Sequence, residues 1–136
     1  MTVAVPITPS GLTKVADTGA AGFALQNGTP TILTWTAPND GNLHSAVVII
    51  GLKVTATLAG GVVAPTLGGV VYNNQSGSNN YFFGGGNPTS GSSIFVPADG
   101  GLNNTFPVFA GTTFAIQQTS ALTAGAGIVY AQIWAA

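Results

Sequence analysis

Cysteine, arginine and glutamate are missing from this chain, and charge of either sign is scarce. Two Lys, three Asp and one His among 136 residues leave 4% charged, against about 25% in an average soluble protein. Each absence excludes something. With only Lys14 and Lys53 basic, a run of phosphates cannot be neutralised, so no nucleic-acid partner is expected. With no Cys, no Glu and His44 alone, the three or four ligands of a zinc site cannot be gathered, and neither metal nor cofactor is expected. General acid–base chemistry has only Asp17, Asp40, Asp99 and His44 to draw on, too thin an inventory for an enzyme. The lack of Cys removes a disulfide framework and leaves the redox compartment open. The start, Met-Thr-Val-Ala-Val-Pro-Ile-Thr, has no basic n-region and does not read as a signal peptide. The strongest apolar run, Ala46 to Leu52, ends at Lys53, far short of the roughly 20 residues of a spanning helix, so no membrane partner is expected.

What the chain does hold is hydrophobic: 46% of residues are apolar, mean hydropathy is +0.45, and disorder is excluded on that ground. The 20 glycines are about twice the usual share of roughly 7%. Period-2 patterns punctuated by Gly, Pro and Asn dominate, and no helical stripe is sustained. The reading is all-β: a jelly-roll-like two-sheet sandwich of about eight to ten strands over residues 23–136. Residues 1–22 read as an extended N-terminal arm and linker, with 10–22 a flexible connection.

The longest element runs from Leu43 to Leu58. Seven of its eight even positions are apolar and face the core. Sixteen residues at about 3.3 Å each would span about 50 Å, so Gly51 is expected to bend or bulge the strand. On its odd face Val47 and Ile49 require cover, whereas Lys53, Thr55 and Thr57 read as wet. In the last strand, Ile128 to Ala135, odd positions are small and apolar while Tyr130, Gln132 and Trp134 are large and amphipathic. Gly125 and Gly127 read as a tight connection before it, and Pro65 and Gly68-Gly69 read as breaks within Val62 to Tyr72. If the small faces fill one core, then Val47, Ile49, Tyr130, Gln132 and Trp134 are left over. Such residues suit a subunit interface, where aromatics are enriched and charge is depleted. So few charges also protect a lone monomer poorly in solution.

Other motifs read as ordinary structure. Gly84-Gly85-Gly86 has no following Lys or helix and is a β-loop rather than a phosphate cradle. Asp40 and His44 flank a turn without facing each other. Asp40 and Asp99 sit in Asp-Gly turns, one carboxylate per loop, which is too few for calcium. Thr34/Thr36 and Thr55/Thr57 repeat the Thr-x-Thr of ice-binding faces, although two such pairs are common in any Thr-rich sheet. Tyr72, Tyr81, Phe82 and Phe83 flank an Asn-rich loop, a composition that also suits a sugar-binding surface.

The stretch Phe106-Pro-Val-Phe-Ala-Gly-Thr-Thr-Phe-Ala-Ile-Gln-Gln-Thr, followed by Gly127-Ile-Val-Tyr-Ala-Gln-Ile-Trp, resembles the closing strands of jelly-roll virion proteins of tailed bacteriophages, of the capsid decoration or cement type. Thr31 to Leu58 is similar to the opening pair of such a domain, and together the segments cover roughly half the chain. The resemblance implies a structural protein on the capsid surface of a virion. It implies a homotrimer at local three-fold positions and an arm that pairs with the major capsid protein. Val3, Val5 and Ile7 alternate as such an arm does, with Pro6 and Pro9 limiting further pairing. The other reading of the same pattern is the receptor- or glycan-binding head domain of a phage tail fibre, with Asn79 and Tyr81 carrying specificity.

Overall fold

Alternation in two long strands builds the molecule. The computed structural model describes residues 11–72, 82, 93–94 (backbone) and 105–136. Ten strands are present among them: β1 Thr13–Asp17, β2 Phe23–Ala24, β3 Thr31–Thr36, β4 His44–Gly60, β5 Val63–Leu67, β6 Val70–Val71, β7 Ser93–Ile94, β8 Thr105–Val108, β9 Thr113–Gln118 and β10 Leu122–Ala135. They form two antiparallel sheets. The six-stranded sheet is centred on β10 and β4, with β1 and β2 outside β10 and β7 and β8 outside β4; the four-stranded sheet runs β3-β9-β5-β6. From β2 to β10 the chain crosses between the sheets at every connection except β5–β6 and β7–β8, which is the double Greek key of a jelly roll.

The inner faces follow the parity read from the sequence. Ala46, Val48, Ile50, Leu52, Val54 and Leu58 of β4 are buried, as are Val129, Ala131, Ile133 and Ala135 of β10. Ala56 departs from the pattern and is exposed. Opposite them lie Phe114 and Ile116 of β9 and Val63 of β5. An aromatic cluster ties the sheets together: Phe106 of β8 lies 5.2 Å from Phe114 and 5.2 Å from Tyr72, with Phe82 at 5.8 Å. Gln118 occupies a core parity position and is fully buried. Its amide donates to the carbonyls of Gln26 (2.6 Å) and Ser120 (3.1 Å) and accepts from the Gln26 N–H at 3.0 Å. A buried amide with its bonds made locks the β2–β3 connection onto β9.

Four expectations are corrected. Gly51 does not interrupt β4: pairing with β10 runs without a shift from Ala46↔Ala135 to Val54↔Gly127, through Gly51↔Tyr130. The irregularities lie at the other end of the ladder, where Leu122 to Gly127 of β10 pair with Val54 to Gly60 of β4. Gly125 and Gly127 are therefore inside a strand, in the stretch where the register shifts and bulges let so long a ladder twist. Residues 13–17, read as flexible connection, form β1 on the outer side of β10. Finally, Pro65 does not break its strand. The Tyr72 N–H bonds the Pro65 carbonyl on the β6 side, so the N–H that proline lacks would also face that short outer strand, and the ladder to β9 stays intact. The arm residues Val3, Val5 and Ile7 lie outside the described residues.

Candidate functional site: the outer face of the six-stranded sheet

Register decides which side chains share this face. Trp134 pairs with Val47, Gln132 with Ile49 and Tyr130 with Gly51. On the far side of β10, Trp134 pairs with Lys14 and Gln132 with Asp17; on the far side of β4, Val47 pairs with Thr105. All five residues read from the sequence as a leftover set thus stand together on one surface, directed away from the core. Val47, Ile49, Gln132 and Trp134 are half-buried and Tyr130 is 37% exposed. The Trp134 indole N–H donates to Gln132 Oε1 at 2.9 Å, which turns the amide nitrogen of Gln132 outward. Tyr130 stands opposite a residue without a side chain. The result is a dent of about 520 Å³ whose lining includes Asp17, Thr18, Ile49, Gly51, Tyr130 and Gln132.

Charge on this face is limited to Lys14 and Asp17 on the outermost strand β1 and to Lys53 on β4, two residues beyond Gly51. A bulge at Val15 shifts the register between Lys14 and Ala16, bringing Lys14 and Asp17 to the same side. Lys14 Nζ lies 2.8 Å from Asp17, whose other oxygen accepts the Gly19 N–H. The Lys14 ammonium, first, and the Gly19 N–H hold the Asp17 carboxyl below its ordinary range. This pair was not read from the sequence, since only the bulge makes the two residues neighbours. Thr18 completes the rim: its hydroxyl accepts the Ala131 N–H at 3.0 Å, extending the sheet by a side chain.

At the end of the sandwich Asp40 and His44 do face each other, contrary to expectation. His44 Nε2 lies 2.8 Å from Asp40 Oδ1, and Nδ1 lies 3.1 Å from the main-chain oxygen of Ala136. The turn folds back because Gly41 takes φ +77° and the Asn42 N–H bonds Asp40 Oδ1. Both partners of the ring are acceptors, and only the imidazolium donates from both nitrogens. Asp40, first, and the Ala136 oxygen accordingly raise the His44 pKa above 6.5. A raised folded-state value stabilises fully below the unfolded pKa near 6.5, and that contribution is lost as pH rises through the folded value. His44 is the sole histidine, so one NMR titration tests this. The midpoint is expected above 6.5 and is expected to fall in Asp40→Asn; a wild-type midpoint at or below 6.5 would refute the clip.

The remaining candidates scatter. Phe82 is fully buried, and Tyr72 is half-buried with its hydroxyl donating to the Pro107 carbonyl. Burial pushes the Tyr72 hydroxyl up to about 12. Both belong to the core, whereas Asn79, Tyr81, Phe83 and Asp99 lie outside the described residues. Thr34 and Thr36 are on the four-stranded sheet and Thr55 and Thr57 on the other, so the two Thr-x-Thr pairs do not form one array. Among the described residues no three His or Asp side chains gather where a metal ion would sit. No family model matches the chain, and no curated protein or solved structure matches it significantly.

Proposed function

We propose that this chain is a structural virion protein of the capsid decoration or cement type, which associates through the outer face of its six-stranded sheet into a homotrimer and binds the major capsid protein on the capsid surface. The observation that carries the reading is that face: aromatic and aliphatic at its centre, with only Lys14, Asp17 and Lys53 charged, and partnered by nothing else in the described fold. Its extent is adequate. The unshifted β4–β10 ladder covers nine residues of β4, about 30 Å, and four strands abreast make about 19 Å. That is roughly 570 Å² in projection, comparable with the approximately 800 Å² of accessible surface each partner gives to a standard interface. Aromatic centres with a polar rim are the anatomy of such interfaces. A jelly roll with almost no charge is suited to being buried by copies of itself and by a shell.

Function on this reading is mass action: protein bound only to the mature shell favours that shell by an amount set by its free concentration relative to Kd. The test has two stages. Purified wild type is expected to sediment near 40 kDa, three times 13.5 kDa, and Tyr130→Ser with Trp134→Ser is expected to be a folded monomer by circular dichroism. A wild type that stays at 13.5 kDa at all concentrations would end the self-association reading. Shells carrying the protein are then expected to survive heating better than shells without it, and deletion of residues 2–10 is expected to release the protein from the shell. Equal survival would end the cement role.

A further inference from the structure

The connection between β2 and β3 is tied down on both sides of a short free span. On the β2 side, the N–H and carbonyl of Gln26 both bond the buried amide of Gln118, and the same carbonyl accepts the Leu122 N–H at 2.9 Å. On the β3 side, the Pro30 carbonyl accepts the Gln118 N–H at 3.0 Å. Between these anchors Asn27, Gly28 and Thr29 make no hydrogen bond among the described residues. Asn27 is exposed, and nothing lies within 4 Å of where a Gly28 Cβ would stand. Asn27 is also the only asparagine in the sequence that glycine follows. A main-chain nitrogen attacks the preceding side-chain amide most readily when its N–H is uncommitted, its residue has no Cβ to obstruct ring closure, and the chain is free to turn. All three conditions meet at Asn27-Gly28. They do not meet at Asp40-Gly41, where the Asp40 carboxylate is held by the Asn42 N–H and by His44.

We propose that Asn27 is a site of spontaneous modification, deamidating to aspartyl and isoaspartyl forms, and that the isoaspartyl form loosens the Gln26–Gln118 lock. The site is independent of the self-association reading. The Gly28 nitrogen forms a bond to Asn27 Cγ and the Cγ–Nδ2 bond breaks. The side-chain nitrogen leaves as ammonia, carrying the proton that Gly28 gives up. Water then opens the five-membered imide. Addition at Cγ leaves an aspartate, whereas addition at the main-chain carbonyl carbon of Asn27 leaves a backbone that runs through Cβ and Cγ. Water is the only co-reactant, and nothing is oxidised or reduced. Either product adds one negative charge to a chain of net charge −1. The isoaspartyl product also lengthens, by one methylene, a span whose two ends are fixed to Gln118, so the displacement falls on the bonds of Gln26.

The full chain is incubated in mildly alkaline buffer, folded and in urea, then denatured and digested with trypsin. Lys14 and Lys53 are the only Lys or Arg, so one peptide, residues 15–53, holds Asn27, Asn39 and Asn42 together, and its fragment masses place the change. In the folded chain Asn27 is expected to convert at least about tenfold faster than Asn39 or Asn42, a barrier difference of about 1.4 kcal/mol. Its rate is expected to lie within about threefold of that in urea, because no bond of the fold has to open first. Gly28 is not among the glycines with positive φ, so Gly28→Ala keeps the backbone and is expected to slow conversion about tenfold or more. The deamidated fraction, isolated by its added charge, is compared with Asn27→Asp, which carries that charge on an ordinary backbone. Its unfolding constant is expected to exceed that of the variant about fivefold or more. An Asn27 that survives in the folded chain, whether or not it converts in urea, would overturn the site. A deamidated fraction as stable as Asn27→Asp would overturn its coupling to the lock.

Discussion

Phe114→Ala is expected to cost about 3–5 kcal/mol of unfolding free energy, the usual toll for emptying a phenylalanine site in a packed core. Phe114 has no solvent exposure and belongs to the four-stranded sheet, but its ring lies 5.2 Å from Phe106 of the other sheet and 6.2 Å from Tyr72. It therefore serves as a rivet between layers, and its loss opens a void that a ladder bonded on both sides cannot collapse to fill. Both neighbours of β9 are hydrogen-bonded strands, β3 and β5. Urea unfolding monitored by tryptophan fluorescence provides the measure. Leu43→Ala, at a position 66% exposed, is the control and is expected to stay within about 0.5 kcal/mol. A loss of under about 1 kcal/mol for Phe114→Ala would mean that the sheets are not held together there.

Gly125→Ala is expected to be comparably damaging, through the backbone rather than the core. Gly125 holds φ +85°, and a Cβ there would stand 2.0 Å from the Thr57 carbonyl oxygen and 2.7 Å from that of Ala56. Those atoms are main chain of β4 and cannot swing aside as a side-chain tip would. The left-handed conformation alone costs an L-residue about 1–2 kcal/mol, and relieving the clash requires β4 and β10 to part at the bulge. The combined loss is expected to reach about 3 kcal/mol or more. Gly28→Ala is the matched control: its φ is not positive and nothing lies within 4 Å of a Cβ there, so it is expected to be nearly neutral. Equal stability of the two alanine variants would contradict the bulge.

These two sites also mark how far the sequence could be read. Alternation in β4 and β10 identified the buried and outer faces because a strand's side-chain period is fixed at two and needs no knowledge of partners. The same alternation singled out Val47, Ile49, Tyr130, Gln132 and Trp134, which the register places on one surface. Which glycine bends the ladder was not legible: Gly51, Gly125 and Gly127 are equivalent in sequence, and only pairing between strands distinguishes them. β1 was missed because a strand held at the sheet's margin by backbone bonds buries little, and Thr-Lys-Val-Ala-Asp shows no apolar rhythm. Gln118 was not singled out, since nothing local announces that its amide will find the main chain of Gln26, 92 residues away. The Asp40–His44 pair depended on how a loop closes, and side-chain spacing does not encode that.

The bulged, ion-paired β1 has a consequence for the chain's resistance to aggregation. Of the four Lys and Asp side chains among the described residues, two, Lys14 and Asp17, are spent on this outermost strand of the larger sheet. An open, regular, uncharged margin would template strand addition from neighbouring molecules without limit, the route to fibrils. A five-residue strand kinked at Val15 and carrying a charge at each end is a poor template. In a protein this short of charge, the gatekeepers stand where uncontrolled growth would begin.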